Sequence, residues 1–321
     1  MRALTFDGSR LEVQQRPKPV SGGEALVRVL RSGICNTDLE IVRGYAAFTG
    51  VIGHEFVGVV EDCAGRPDIL GKRVVGEINA GCGRCGRCLG GDPRHCPTRT
   101  VLGIVGRDGS HSEFLRLPAE NLFVVPENIT DDEAVFTEPL AAAFGITEQV
   151  DVQPETRVAV IGDGKLGLLC AMSLRLASDE VILVGKHVEK MEIAARCGVT
   201  PLILDDVGPD ISGSFDVVVE ASGSESGFAT ALDLVRPRGK IVLKSTFHGK
   251  PVWAASRVVV DEITIVGSRC GRFAPALELL SSGKVDVTPM ISDILPLSRG
   301  VKAMESAARL GTLKVILDTR N

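Results

Sequence analysis

Four of the nine cysteines in this 321-residue chain fall in a single fifteen-residue stretch. Cys82, Cys85, Cys88 and Cys96 form C-x2-C-x2-C-x7-C within AGCGRCGRCLGGDPRHC. Four thiolates close a tetrahedral shell around zinc and leave no position open for a substrate, which is the pattern of a structural site. The loop 82–96 has little apolar content of its own, so metal binding has to supply its order. Arg84, Arg87 and Arg94 would offset the negative charge of a four-thiolate centre, and the neighbouring His95 reads as solvated rather than as a fifth donor.

A second group is dispersed: Cys35 in GICNTD, His54 in GHE and Glu138 in TEPLA. Each has an ordinary reading. A cysteine after a strand is commonly a small core residue, a histidine in a turn can be satisfied locally, and Glu138 before a proline suits a helix N-terminus. Together they offer the mixed donor set of a catalytic zinc, three protein ligands with one position left for substrate.

The third motif is VAVIGDGKLGLLCA, in which Gly162, Gly164 and Gly167 stand in GxGxxG spacing, with Lys165 and Leu166 between the last two. It follows a β-branched run and opens an apolar helix, the context in which a glycine loop holds a dinucleotide pyrophosphate at a helix N-terminus. Sites for NAD carry a carboxylate about 20 residues further on. Here EVILVGKHVEK ends on Gly185, followed by Lys186, His187 and Lys190. Cations standing where a 2′-phosphate would lie favour NADP over NAD.

These motifs need elements to hold them. The first stretch alternates like half-buried strands (LTF, LEVQQ, ALVRVLRSGI, FVGVVEDC), punctuated by Gly and Pro. From about Val158 the texture changes to apolar runs alternating with helical segments, a βαβ order that predicts a parallel doubly wound sheet. Helix, irregular chain, helix and a last strand KVILDT complete the sequence. Hydrophobic residues at 44% and charged residues at 24% are globular composition. A net charge of −5 gives no basic footprint for nucleic acid or an anionic membrane. No apolar run reaches the roughly 18 residues of a membrane span, and the N-terminus lacks a signal-peptide core. The expectation is a cytoplasmic protein, whose reducing surroundings favour thiolate–metal bonds over disulfides.

The chain resembles the zinc-containing medium-chain alcohol dehydrogenases, in the branch of threonine, sorbitol and glucose dehydrogenases. The resemblance runs nearly end to end, through GICNTD, GHEFVGVVE, the four-cysteine loop, TEPLA, GDGKLG, VVEASGS and GTLKVILD. It implies an α/β fold with a Rossmann doubly wound sheet (140–268) inserted in a GroES-like β-rich catalytic domain (1–139 and 269–321). It further implies two zinc ions per chain, NADP or NAD as cofactor, and Cys35, His54 and Glu138 as catalytic ligands, with Glu55 as a neighbouring or alternative donor. Thr37 matches the hydroxyl that binds the substrate alcohol and starts proton relay, and Lys314 a basic residue that reaches the cofactor pyrophosphate in some members. Many members place a relay histidine where this chain has Glu40, so the proton would leave through Glu40, through water or by another route. The implied reaction is hydride transfer between a secondary alcohol, polyol or sugar hydroxyl and the cofactor. By the same analogy the assembly is a homodimer or homotetramer. The competing readings are a zinc-free quinone or enoyl reductase on this fold, against which both cysteine-bearing constellations argue, and a non-catalytic dinucleotide-binding protein with structural zinc alone.

Overall fold

The computed structural model describes residues 1–44, 47–246 and 254–320. The chain forms two compact units, Met1–Glu138 with Phe273–Asn321, and Pro139–Arg272. The second crossing thus falls a few residues beyond residue 269, where the sequence suggested it.

The first unit opens with β1 (Arg2–Phe6), β2 (Leu11–Gln15), β3 (Ala25–Gly33), helix α1 (Asn36–Val42), β4 (Gly50–Val51) and β5 (Glu55–Asp62). It continues through β6 (Arg73–Gly76), β7 (Asn79–Ala80), α2 (Gly86–Leu89), β8 (Thr100–Leu102), β9 (Gly106–Arg107), β10 (Phe114–Leu117), β11 (Leu122–Val124) and α3 (Asp131–Ala134). Helix α4 (Thr137–Phe144) leads into the second unit, which holds β12 (Arg157–Ile161), α5 (Lys165–Arg175), β13 (Glu180–Gly185), α6 (Val188–Ala195) and β14 (Thr200–Ile203). After these come β15 (Phe215–Glu220), α7 (Glu225–Leu234), β16 (Val235–Leu243), α8 (Ala255–Val260) and β17 (Thr264–Gly267). The chain then returns to the first unit with α9 (Phe273–Ser281), β18 (Ile291–Pro296), α10 (Gly300–Ala307) and β19 (Lys314–Asp318).

In the second unit the six strands pair in parallel in the order β14-β13-β12-β15-β16-β17. Strand order reverses between β12 and β15, the switch point at whose carboxyl ends such sheets bind ligands. The central strand RVAVI is buried in all but its first residue, as helices on both faces of a parallel sheet require. At the end of β12 a Cβ added to Gly167 would lie 1.8 Å from the carbonyl oxygen of Gly162, so only glycine lets α5 approach the strand this closely.

The first unit is built on a mostly antiparallel seven-stranded sheet, β11-β6-β5-β3-β19-β18, with β10 also on β3. The last strand of the chain therefore lies inside the sheet between β3 and β18, antiparallel to β3 through Ile316 and Gly33. One apolar cluster (Leu4, Phe6, Ile34, Ile41, Ile52, Leu297, Val315) fills one side. Another (Val27, Phe56, Ile69, Val74, Leu102, Leu117) fills the opposite half. Among the described residues no helix is long and apolar enough to cross a membrane.

Phe215, 1% exposed at the start of β15, anchors the core of the second unit with Phe228, Leu234 and Ile241. Truncating a buried Phe to Ala typically costs about 3–5 kcal/mol. Phe215→Ala is expected to lose that much in urea denaturation followed by circular dichroism; a loss below about 1 kcal/mol would contradict this packing.

Candidate metal centres and cofactor loop

The cysteine loop brings all four sulfurs together: those of Cys82, Cys85, Cys88 and Cys96 lie within 4.8 Å of one another. Cys85 Sγ is 3.6 Å from Cys88 Sγ and 3.7 Å from Cys96 Sγ. Zinc–sulfur bonds of about 2.3 Å at a tetrahedral angle set sulfurs roughly 3.8 Å apart, so the four donors fit one ion. The amides of Arg84 and Cys85 turn toward the Cys82 sulfur and pull its thiol down to about 6. The Cys82 amide, in turn, donates to Cys96 Sγ at 3.4 Å. His95 turns outward, its Nδ1 2.8 Å from Asp92 Oδ2, consistent with a solvated side chain.

The second centre is assembled from distant pieces of sheet and helix. Cys35 ends the turn after β3 and precedes α1; His54 and Glu55 lie where the chain enters β5. Their donor atoms all fall within 4.8 Å of one another. Glu138, in the first turn of α4, is not part of that tight set. Its carboxyl is nonetheless pushed up to about 7 by burial, offset by His54 and reinforced by Glu55 and Glu77. Thr37 Oγ1 sits 3.8 Å from Cys35 Sγ. Glu40, one turn along α1, accepts from Arg43 at 2.7 Å.

One residue that sequence reasoning overlooked organises this centre. Asp38, fully buried, accepts from the Cys35 amide at 2.8 Å and from the Gly53 amide at 3.1 Å. Its Oδ1 also faces His54 Nδ1 at 3.3 Å, which leaves Nε2 as the nitrogen available to a metal. Burial opposes the charge on Asp38, yet the facing His54, followed by His111, holds its carboxyl well below the usual carboxylate range. Burial likewise opposes charge on His54, but Asp38 and then Cys35 raise it well above the ordinary imidazole value. A field that negative favours a cation between Cys35 and His54. The only sequence signal for Asp38 is its place three residues after Cys35, the spacing of an acidic side chain that reaches back to a helix N-cap.

Lys314 departs from its expected role. It is 1% exposed and paired inward with Glu55 across 259 positions of sequence, with the Phe136 ring 5.4 Å from its Nζ. An ammonium buried this way neutralises a carboxylate beside the metal donors instead of meeting a cofactor phosphate. The other oxygen of Glu55, Oε1, is buried without a hydrogen-bond partner among the described residues, an acceptor left over for a metal.

At the glycine loop, Gly162, Gly164, Lys165, Leu166 and Gly167 join β12 to the first turn of α5. Asp163 spans from this loop to the end of β13. Its Oδ2 accepts from the amides of Lys186 and His187, both at 2.7 Å, and lies 2.9 Å from His187 Nδ1. A Cβ at Gly185 would fall 2.8 Å from the same oxygen. Lys186 is exposed and Lys190 half-buried.

A β-rich unit carrying two clusters of zinc-type donors, with a doubly wound parallel unit bearing a glycine loop, defines a two-domain dinucleotide-dependent oxidoreductase. Residues 21–127 match the family model of the alcohol dehydrogenase GroES-like domain, and residues 166–282 that of the zinc-binding dehydrogenases. L-threonine 3-dehydrogenase of Shewanella sp. (strain W3-18-1) is 30% identical over 299 residues, covering 86% of each chain. D-arabinitol dehydrogenase 1 of Uromyces fabae is 28% identical over 312 residues, 91% of this chain and 89% of that one. A structure from Sinorhizobium meliloti 1021 with NADP bound superposes with a TM-score of 0.90 at 26% identity, covering 99% of this chain and 98% of the other. The chain belongs to the zinc-type medium-chain dehydrogenases of the alcohol dehydrogenase family and is an NAD(P)-dependent oxidoreductase.

Removing one partner of a buried ion pair costs about 3–5 kcal/mol because the other charge is stranded. Lys314→Met is expected to destabilise the chain by that amount in chemical denaturation. The double variant Lys314→Met/Glu55→Gln should recover much of the loss, and equal destabilisation of the two variants would show that the pair is not the cause.

Proposed function

We propose that the protein is a zinc-dependent alcohol dehydrogenase acting on a secondary alcohol, polyol or sugar hydroxyl, with NADP preferred. The observation that carries this reading is the convergence of Cys35, His54 and Glu55 donors within 4.8 Å, beside a threonine hydroxyl. Cys35 and His54 would hold the catalytic zinc with Glu138 or Glu55 completing the shell, and the four cysteines of 82–96 a structural one. Zinc, when bound, would supply Lewis acidity toward a substrate oxygen, and a nicotinamide cofactor would supply the means to take up or return hydride.

The chain's own residues then have separable tasks. Thr37 would accept the hydroxyl proton of the substrate as it releases its own, and Glu40, three residues further along α1, is the carboxylate proposed to pass that proton to solvent. Asp38 holds the His54 ring by Nδ1 and the Cys35 backbone by its amide. Lys314 keeps the charge of Glu55 balanced within the sheet. The amides at the start of α5 receive the pyrophosphate, with glycine at 162, 164 and 167 allowing the approach.

Support for NADP comes from the end of β13. Gly185 offers no carboxylate to a ribose, and the Asp163 carboxylate beside it is already engaged by two amides and an imidazole. Lys186 is exposed there to meet a 2′-phosphate, with His187 and Lys190 beside it.

Metal analysis and turnover with a panel of polyols, sugars and secondary alcohols test the chemistry. The expected result is two zinc ions per chain, falling to one in Cys35→Ser with turnover lost; full turnover in that variant would refute the mechanism. For the cofactor, Lys186→Ala should raise KM for NADP about tenfold, the loss of one charge-assisted contact of about 1.4 kcal/mol, and leave KM for NAD unchanged. An equal rise for both cofactors would remove the basis for NADP.

A further inference from the structure

One buried titratable side chain next to Cys35 and His54 has no part in the tasks above. His111, in the segment between β9 and β10, is fully buried. Its Nε2 faces Asp38 Oδ2 at 3.6 Å, and its Nδ1 lies 2.8 Å from Ser32 Oγ. Ser32 is itself 2.7 Å from Ser110 Oγ and 3.1 Å from the carbonyl of Glu55. The ring also lies flat against the residue that precedes His54: a Cβ on Gly53 would fall 2.4 Å from His111 Nδ1, and Gly53 has a φ of +98°. Glycine is demanded at 53 on both counts. Backbone bonds fix the segment in place, with Ser110 donating to the Gly53 carbonyl at 2.9 Å and His111 to that of Ile52 at 3.0 Å.

Asp38 therefore stands between two imidazoles. One oxygen serves Gly53 and His54, the other Cys35 and His111. At 3.6 Å the His111 contact is electrostatic rather than a hydrogen bond, and it acts in a site with no exposure to screen it. An Nε2–H turned to the carboxylate leaves Nδ1 to accept from the Ser32 hydroxyl. Without this second imidazole Oδ2 would keep only the Cys35 amide, and the carboxylate beside both Cys35 and His54 would be held less firmly.

We propose that His111 is a positioning residue of the catalytic zinc centre, bracing Asp38 and Gly53 so that the Cys35 and His54 donors stay in reach of one ion. The proposal rests on the reading of Cys35 and His54 as zinc ligands. A core-filling histidine would make a different prediction, because a phenyl ring would then replace it without effect on the metal.

Chelator-driven zinc release from the full-length protein separates the two, read alongside the visible spectrum of cobalt placed in the catalytic site. Loss of a residue supporting a metal ligand typically costs 10–100-fold in metal affinity. In His111→Phe one of the two zinc ions is expected to leave about 10–100-fold faster while the other keeps its wild-type rate, and the cobalt d–d bands should shift. His111→Gln, whose amide nitrogen can take the place of Nε2, should return to within about threefold of wild type. Wild-type release and an unchanged spectrum in His111→Phe would overturn the proposal, as would a Gln variant as fast as the Phe variant. Should the phenyl variant not fold, His111→Asn, too short to reach Asp38, decides against His111→Gln: release about tenfold faster in the Asn variant supports the role, and equal rates overturn it. An unchanged zinc count in Cys35→Ser would instead overturn the ligand assignment itself, whatever the His111 variants do.

Discussion

Two carboxylates buried inside one β-rich unit set the terms for everything around them. Asp38 and Glu55 are each shut off from solvent, and an unpaired ion in such surroundings is unaffordable at several kcal/mol. Asp38 is answered by two backbone amides and two imidazoles, Glu55 by the Lys314 ammonium. The answering groups come from β19, from the turn before β5 and from the segment before β10. Satisfying the charges thus draws separate parts of the chain onto one place. The thiol and imidazole that could bind a metal are carried there with them.

Charge balance also explains why the donor set can be anionic without flying apart. Cys35, Asp38, Glu55 and Glu138 all contribute negative potential, and Lys314 brings a positive charge into their midst. A dication bound there would close the remaining deficit. The four-cysteine loop works differently: its sulfurs are arranged within one short stretch and draw on local amides.

What could be read from the sequence follows this division. The cysteine loop and the glycine loop are local, because the spacing of their residues is itself the geometry, and both form where the motif lies. The strand and helix order of the second unit was equally legible, since buried parallel strands read as unbroken apolar runs. Cys35 and His54 could be picked out as donor types, but only family resemblance joined them into one site. Asp38 looked like one more acidic residue in a polar turn, and His111 gave no signal, because its meaning lies in its contact with residues 38 and 53. Lys314 was assigned to the wrong partner for the same reason. Its side chain points into the sheet, which the alternation of a strand buried on both faces does not disclose.

The place of β19 has a consequence for how the protein is made. The thiols of 82–96 are complete as soon as that stretch leaves the ribosome, so the first ion can be captured early in synthesis. Lys314 emerges more than two hundred residues after that stretch, and until β19 slots in beside β3 the Glu55 carboxylate lacks the ammonium it pairs with. The four-cysteine donor set is thus complete in sequence before the group that balances Glu55 exists.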